Sequence, residues 1–284
     1  MEHIIIPDAL YSFPKLWAKH ISFVLYSQKD NFLRNRVIFN CNAVSFVLSG
    51  KKEIYHASER TLVSRGEATL IPEGNSLIAE RTFDDTNYSS LVAFFPTHVA
   101  VDFLQRRNIT SSHTVVSNPR LKSAQTGYVK DYVRGICTLI TNGITVSETL
   151  VFHKMEELLL ILIENHPAHF MSLFQSKPDH NNGLLKNIVE NNLMQNLTLE
   201  ELAFLAHKSL SSFKRDFEKA YSISPGKYIR ERKLELALTE LMQGKSPSQL
   251  YLDYGYESLS NFIHAFKKKF GCTPKEYLSH SVAV

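Results

Sequence analysis

The 284-residue chain has little cysteine, a single tryptophan and no long apolar run. Its three cysteines, Cys41, Cys137 and Cys272, are far apart and odd in number, which argues against a disulfide framework and against the paired spacing of a zinc site. The longest apolar run, residues 158–163, is far too short to cross a bilayer. We therefore expect a protein of the reducing cytoplasm that does not insert into a membrane.

A secretory signal and a catalytic motif are also missing. Residues 1–7 lack a basic start followed by a sustained apolar run, so no secretory signal is predicted. No local motif singles out a nucleophile, and the relevant strands carry one histidine, His56, with no His-x-His pair. His166 and His169 flank Pro167, and we interpret both as surface histidines. We expect no catalytic residues, no metal and no cofactor.

The overall composition is that of an ordinary globular protein. Hydrophobic residues make up 44% of the chain and charged residues 21%, and the length allows two domains with a core in each. The formal net charge of +4 permits an anionic partner without requiring one. The function must therefore be sought in the residue pattern.

The first half is predicted to form short strands and then helices. From about residue 20 to 96, apolar and β-branched segments such as 43–48 and 90–95 alternate with turn signals such as Pro72-Glu73-Gly74-Asn75. We predict a small β-barrel or sandwich there, followed by helices over about 97–176.

One of these helices is apolar nearly all round. In residues 150–163, Met155, Leu158, Leu159 and Leu162 recur at helical intervals. A helix that apolar must be covered. Packing against the barrel is one explanation and a dimer interface between facing helices is the other; both can hold for different faces.

The last third of the chain contains an internal repeat. Five residues recur in the same order 49 positions further on. Such a repeat indicates a duplicated unit, and each copy is predicted to be a short helix, a tight turn and a second helix opened by a capping serine. That layout is a helix-turn-helix, whose second helix fits the major groove of DNA. The repeated residues are Ser209, Phe213, Phe217, Pro225 and Tyr228, matched by Ser258, Phe262, Phe266, Pro274 and Tyr277.

In the first copy, Thr198 and Glu201 form a capping box for one helix, and Ser209 caps the next. Phe213 and Phe217 point inward at helical spacing. A polar, basic face behind a serine cap suits a DNA groove, because small serines let the backbone approach and Arg or Lys can pair with guanine edges or phosphates. The outward side chains are Ser211, Ser212, Lys214, Arg215 and Lys219.

The second copy repeats this pattern. Residues 255–258 form the turn and the cap, and Phe262 and Phe266 point inward. Asparagine can read adenine through paired hydrogen bonds, whereas the lysine run 267–269 serves phosphates, which set the affinity and its salt dependence. The candidate outer face comprises Ser260, Asn261, His264, Lys267 and Lys268.

A helix over residues 228–242 is predicted between the copies. Two helices that read one face of B-DNA need about 34 Å between them, one helical turn, and a continuous connector would hold that separation. We interpret Lys186 and Lys208 as solvated charges, and Tyr228 and Tyr277 as packing residues.

Over about residues 184–280 these features resemble the AraC/XylS family of bacterial transcription regulators. The resemblance implies a seven-helix module that binds DNA through two helix-turn-helix units. The positions that match the family signature are Gly255, Ser258, Ser260, Phe262, Phe266, Lys267, Phe270, Gly271, Pro274 and Tyr277. By position, the groove contacts that the resemblance implies are Ser211, Lys214, Arg215, Ser260, Asn261 and His264.

Two residues depart from that signature. Tyr256 replaces the usual Phe, and Tyr251 stands where the family has a small Ala on the first helix of the second unit. A bulky ring at Tyr251 should alter how the two helices pack, or should turn outward. Pro247 lies near the start of the same helix, where proline is tolerated.

The first half resembles, more loosely, the cupin-like sensing domain of the same family. The similar segments are residues 46–50 and 66–74, in which strands alternate with Gly and Pro-x-Gly turns. The resemblance implies a β-barrel that in many relatives holds a small effector or a protein antagonist, followed by helices that dimerise.

The sequence thus predicts an α+β fold, with an N-terminal cupin-like β-barrel and flanking helices over 1–176, a linker at 177–183, and a C-terminal all-α domain over 184–280. In that domain two helix-turn-helix units, at about 198–221 and 247–270, are joined by a linker helix. The predicted function is that of a sequence-specific DNA-binding transcription regulator, an activator, whose N-terminal domain senses a small molecule or a protein partner. The predicted partners are double-stranded DNA, RNA polymerase, a small-molecule effector or an antagonist protein, and a second copy in a homodimer. The alternative is a metal-dependent cupin enzyme fused to a DNA-binding module.

Overall fold

The chain divides into two compact units, Met1–Asp179 and His180–Val284. The predicted linker at 177–183 lies outside the residues that can be described, except for Gly183. The computed structural model describes residues 3–29, 34–57, 59–81, 87–109, 121–174 and 183–281.

The first unit is rich in strands. Most of its strands precede its helices, and the described residues of the second unit form helices, which confirms the predicted α+β class. The strands in the described residues are β1 (Ile4–Ile6), β2 (Lys15–Ala18), β3 (Ile21–Gln28), β4 (Asn35–Phe39), β5 (Asn42–Ser49), β6 (Lys51–Tyr55), β7 (Arg60–Ser64), β8 (Glu67–Ile71), β9 (Gly74–Arg81), β10 (Tyr88–Phe95) and β11 (Leu121–Ala124).

These strands form two sheets that share one core. The five-stranded sheet has the order β1-β4-β9-β6-β7 and the six-stranded sheet the order β11-β8-β5-β10-β3-β2. Strand β1 runs parallel to β4, and the other pairs are antiparallel. Buried side chains of both sheets, including Phe39, Ile54, Ile78 and Phe94, pack into a single cluster between them. This cluster is called the inter-sheet core below.

The predicted strand region of about 20–96 was too narrow. Strands β1 and β2 precede it, and β11 follows the first helix and pairs with β8. Strand β1 has three residues and β11 reads Leu-Lys-Ser-Ala, so neither is long or apolar enough to show the alternation that identifies a strand. Both segments form strands because they pair with a neighbouring strand.

A buried ion pair lies within the inter-sheet core. Lys52 Nζ is 3.3 Å from Glu80 Oε1, and the Tyr26 hydroxyl donates to Glu80 Oε2 at 2.9 Å. Lys52 Nζ also donates to the hydroxyl of Ser45 at 3.4 Å. A buried charge is tolerated only when it is paired and hydrogen-bonded, and each of these two charges has partners.

The opposite face of the six-stranded sheet is covered by helices. Phe46 and Phe95 of the sheet belong to one buried cluster with Phe103, Ile136 and Leu158 of the helices. The helices of the first unit are α1 (Thr97–Arg106), α2 (Gly127–Thr141), α3 (Glu148–Asn165) and α4 (Pro167–Ser172). No helix within the described ranges has both the length and the apolar character needed to cross a membrane.

The apolar helix α3 packs within its own unit. Val151, Met155, Leu158, Leu159, Ile161 and Leu162 are buried in the cluster against the sheet, and its remaining large apolar side chains mostly pack at the edge of that cluster. Packing against the sheet is therefore the explanation that the structure supports. In helix α2, Tyr128 is 60% exposed, and its hydroxyl donates to the carboxylate of Glu157.

The second unit consists of helices. They are α5 (Gly183–Asn191), α6 (Leu199–Leu205), α7 (Leu210–Tyr221), α8 (Pro225–Met242), α9 (Pro247–Leu250), α10 (Leu259–Phe270) and α11 (Pro274–Ser281), with a 3-10 turn at Leu193–Gln195. The predicted connector helix over 228–242 is confirmed by α8.

Each copy of the repeat has the same aromatic core. Phe213 and Phe217 of α7 are fully buried, and the ring of Tyr228 lies 5.5 Å from that of Phe217. In the second copy Phe266 is fully buried, and its ring lies 6.1 Å from that of Tyr277. Both tyrosines therefore pack against the end of their unit, as predicted.

We expect Phe266→Ala to destabilise the second unit by about 3–5 kcal/mol, because the ring is fully buried among Phe262, Phe270 and Tyr277 and its loss leaves a cavity. Hydrogen exchange with peptide resolution should show faster exchange in 183–281 and no change in the sheets. Leu252→Ala, at a side chain 64% exposed, is the matched control. Equal exchange in the two variants would contradict the assigned core.

Candidate DNA interface

The first helix-turn-helix is capped as predicted. Thr198 and Glu201 form the capping box of α6, with Thr198 Oγ1 accepting from the Glu201 amide at 3.2 Å and the Glu201 carboxylate accepting from the Thr198 amide at 2.8 Å. Ser209 Oγ accepts from the amide of Ser212 at 3.2 Å and begins α7. These caps satisfy backbone donors that would otherwise lack partners at each helix start.

The predicted outer face of α7 points to solvent. Ser211, Lys214 and Arg215 are exposed, and Ser212 is half-buried. The two serine hydroxyls lie 3.1 Å and 3.0 Å from Ser209 Oγ, so they form a small polar cluster at the start of the helix. Their short side chains leave the α7 backbone close to the surface, which a groove-binding helix requires.

Arg215 is held by a neighbour that sequence reasoning missed. Its Nε donates to Asp216 Oδ1 at 3.2 Å, while Lys208 Nζ donates to Asp216 Oδ2 at 2.9 Å. The bonds from Lys208 and then Arg215 hold the pKa of Asp216 below its ordinary value. Lys208 was predicted to be a solvated charge and is instead paired. The Arg215 side chain remains 73% exposed.

The second helix-turn-helix has a shortened first helix. A capping box of Ser246 and Gln249 begins α9, which ends after Leu250, and the chain then turns through Tyr251. The Tyr251 ring is half-buried against the core of this unit. The ring thus does not turn outward, and the helix ends beside it.

Gly255 closes that turn. Its φ is +79°, a backbone conformation that residues other than glycine rarely adopt. A Cβ there would lie 3.1 Å from Asn196 Oδ1 and 3.4 Å from Lys233 Nζ. Lys233 Nζ donates to Asn196 Oδ1 at 2.7 Å, so glycine leaves room for this bond. Burial lowers the pKa of Lys233 from its ordinary value.

Helix α10 also begins at a serine cap. Ser258 Oγ accepts from the amide of Asn261 at 3.2 Å. The exposed side chains of this helix are those predicted for the outer face, namely Ser260, Asn261, His264, Lys267 and Lys268.

Lys269 does not share that face. Its Nζ donates to the carbonyl oxygen of Glu231 at 2.7 Å and to Glu235 Oε1 at 2.8 Å. The expectation that the whole run 267–269 serves phosphates was therefore wrong for Lys269, because α8 provides it with an acceptor pair. Lys186 was predicted to be solvated, and it is exposed, with its Nζ over the rings of Tyr221 and Tyr228 at 5.9 Å and 5.7 Å.

A chain of charged groups joins α5, α8 and α10. Arg232 Nε donates to Glu190 Oε1 at 2.8 Å, and the Tyr228 hydroxyl donates to the same carboxylate. Arg232 also donates to Glu235, which accepts from Lys269 on its other oxygen. The bond from Arg232 lowers the pKa of Glu190, and the bond from Lys269, followed by that from Arg232, lowers the pKa of Glu235. Both carboxylates are therefore ionised at neutral pH.

The histidines do not form a metal centre in the described part of the chain, where no three His, Cys, Asp or Glu side chains are placed to hold an ion. His56 is buried, and its Nε2 lies 3.1 Å from the hydroxyl of Ser76. His166 was predicted to be a surface residue, but it is half-buried, and its Nε2 lies 3.1 Å from Ser123 Oγ.

Comparison with known proteins identifies both halves of the chain. Residues 202–280 match a family model described as a helix-turn-helix domain, and residues 42–173 match one described as the ExsA N-terminal regulatory domain. Over 146 residues the chain is 30% identical to the virulence regulon transcriptional activator VirF of Yersinia enterocolitica, covering 51% of this chain and 54% of that protein. Over 94 residues it is 37% identical to the XylDLEGF operon transcriptional activator of Pseudomonas putida, covering 32% of this chain and 29% of that protein.

Solved structures show only a weak likeness. A crystal structure of ToxT from Vibrio cholerae with unsaturated fatty acid bound aligns over 91% of this chain and 94% of its own, with 12% identity and a TM-score of 0.40. This likeness is too weak to carry an inference about function.

These matches support the resemblance of the chain to the AraC/XylS family of transcription regulators. The matched segment spans about half the length of the VirF relative, 54%.

We expect Glu235→Gln to lower the free energy of unfolding at pH 7, because this carboxylate is shared by Arg232 and Lys269. The folded pKa of Glu235 is below its ordinary value of 4.5, so its contribution is fully present above that pH and is lost as the pH falls through the folded pKa. Urea unfolding followed by circular dichroism at pH 7, 5 and 3.5 measures the difference from wild type. That difference should shrink at pH 3.5.

Glu231→Gln is the control for this experiment, because the Glu231 carboxylate makes one long contact of 3.8 Å with Lys227 at the surface. A difference between wild type and Glu235→Gln that is constant across the three pH values would show that the shared carboxylate has another role.

Proposed function

We propose that this protein is a sequence-specific DNA-binding transcription activator whose N-terminal unit senses a small molecule or a protein partner. The family match and the names of the relatives, which describe transcriptional activators, support this function. The observation that carries it is the pair of serine-capped helices, α7 and α10, each with an exposed polar and basic face behind its cap.

The two faces have different parts to play in this proposal. On α7, Arg215 reads a base, because Asp216 orients its exposed guanidinium, which can pair with a guanine edge. On α10, Asn261 suits adenine, and Lys267 and Lys268 neutralise phosphates. The proposed contact residues are Ser211, Ser212, Lys214, Arg215, Ser260, Asn261, His264, Lys267 and Lys268.

The further partners follow from the role of an activator. An activator raises transcription by binding near a promoter, and we propose RNA polymerase as its protein target there. A second copy of this chain would double the number of DNA contacts, and the match to an N-terminal regulatory domain supports a small effector or a protein antagonist acting on the first unit.

The alternative, a metal-dependent cupin enzyme fused to a DNA-binding module, has no observation in its favour. The one histidine predicted to lie on the strands, His56, is enclosed and bonded to Ser76. The proposed function requires no catalytic centre.

The test of this function is a footprint on the DNA upstream of the operon that encodes the chain. We expect folded protein at low salt to protect a site that spans two successive major grooves, because each copy of the repeat supplies one helix. A folded protein that protects no site on this DNA would count against the proposal.

Within that site we expect Arg215→Ala to weaken specific binding by about 1–3 kcal/mol and to relax the preference at one base pair. Lys267→Ala should instead weaken binding to all sequences alike and reduce the salt slope by about one. Titration of labelled site and labelled random DNA at several salt concentrations separates the two. If Arg215→Ala lost equal affinity for both DNAs, Arg215 would contact a phosphate and not a base.

A further inference from the structure

A cleft opens on the helix side of the six-stranded sheet, away from the inter-sheet core. Strands β5, β8 and β11 form its floor, and α2 and α3 form its walls. Its volume is about 240 Å³. The side chains that give it its apolar character include Val44, Phe46, Leu70, Leu121, Leu158 and Leu162.

One end of this cleft is polar. Ser123, at the end of β11, and His166, just after α3, both line it, with Ser123 Oγ 3.1 Å from His166 Nε2. Asn165 lies beside them, and its amide nitrogen donates to the carbonyl of Ile161 at 2.8 Å. Burial, followed by the neighbouring His169, lowers the pKa of His166 from 6.5, so the imidazole is neutral at pH 7.

None of the described residues that line the cleft is charged. An ionised group inside it would lose water without gaining an ionic partner, which disfavours a charged ligand. The inter-sheet core differs from the cleft in charge and in volume. It contains the Lys52–Glu80 pair and leaves only about 70 Å³ of free volume. An apolar cavity of about 150 Å³ is enough to bind benzene, so the larger cleft admits a molecule of one or two rings.

We propose that this cleft binds an uncharged, largely apolar small molecule that carries one hydroxyl or carbonyl group, with the polar group at Ser123 and the apolar body between the sheet and α3. The site is thus outside the barrel interior, where the resemblance placed an effector. An effector role for the bound molecule rests on the proposed function. Binding itself is independent of that function, so it is measured without DNA.

Three probes of matched shape test the chemistry on the full chain by isothermal titration calorimetry at pH 7. They are 2-naphthol, which is neutral with one hydroxyl, naphthalene, which lacks the hydroxyl, and 2-naphthoate, which is an anion. We expect 2-naphthol to bind about three- to tenfold more tightly than naphthalene, because one hydrogen bond is added. We expect no measurable binding of 2-naphthoate.

Variants locate the site. Ala68 lies half-buried on the floor of the cleft, and Ala68→Phe should abolish binding of both neutral probes. Ser123→Ala should reduce the affinity for 2-naphthol to that for naphthalene and leave naphthalene unchanged, a result that a general loss of structure cannot produce. Val92→Leu, which fills part of the inter-sheet cavity, is the matched control and should bind both as wild type does.

Several outcomes would overturn the proposal. They are a folded wild type that binds neither neutral probe, 2-naphthoate binding as tightly as 2-naphthol, and loss of binding in Val92→Leu but not in a folded Ala68→Phe. If Ala68→Phe does not fold, Ser123→Ala is the deciding variant. Equal affinity for 2-naphthol in Ser123→Ala and in wild type would contradict the proposed role of Ser123.

Discussion

Both candidate recognition helices are fixed to one helix, α8, and their mutual geometry depends on that attachment. At the start of α8, Tyr228 packs its ring on Phe217 of α7. Further along, Leu234 shares a buried cluster with Phe266 of α10, and Glu235 accepts from Lys269. Apolar contacts supply the stabilisation. The hydrogen bonds of the charged groups fix the orientation of the helices, because a hydrogen bond restricts orientation more than an apolar contact does.

Much of the second unit could be predicted from the residues alone. A repeat at fixed spacing, serine caps and inward aromatics are local signals, and each acts over one or two helical turns. The side chains that missed their predicted place, such as Lys208 and Lys269, were decided by partners elsewhere in the fold. The acceptor of Lys208 lies in the next helix, and those of Lys269 lie in α8, 34 and 38 residues earlier, so neither pairing follows from the periodicity of one helix.

The first unit was less predictable for the same reason. Strands such as β5 and β10 are long and apolar, so they can be predicted from their own residues. Strands β1 and β11 exist because a neighbouring strand offers its backbone groups, which no short window of sequence contains. The cleft beside Ser123 depends on such a strand and on the end of a helix more than forty residues away, so sequence reasoning gave no sign of it.

The contact of Gly255 with Asn196 and Lys233 ties the spacing of the two copies to a single point. A Cβ at Gly255 would lie 3.1 Å from Asn196 Oδ1 and 3.4 Å from Lys233 Nζ, so the loop before the first copy, the middle of the connector and the turn of the second copy lie close together there. A side chain at position 255 would crowd the Asn196 amide and the hydrogen bond that it accepts from Lys233. Glycine at this turn therefore permits the two copies of the repeat to approach each other closely.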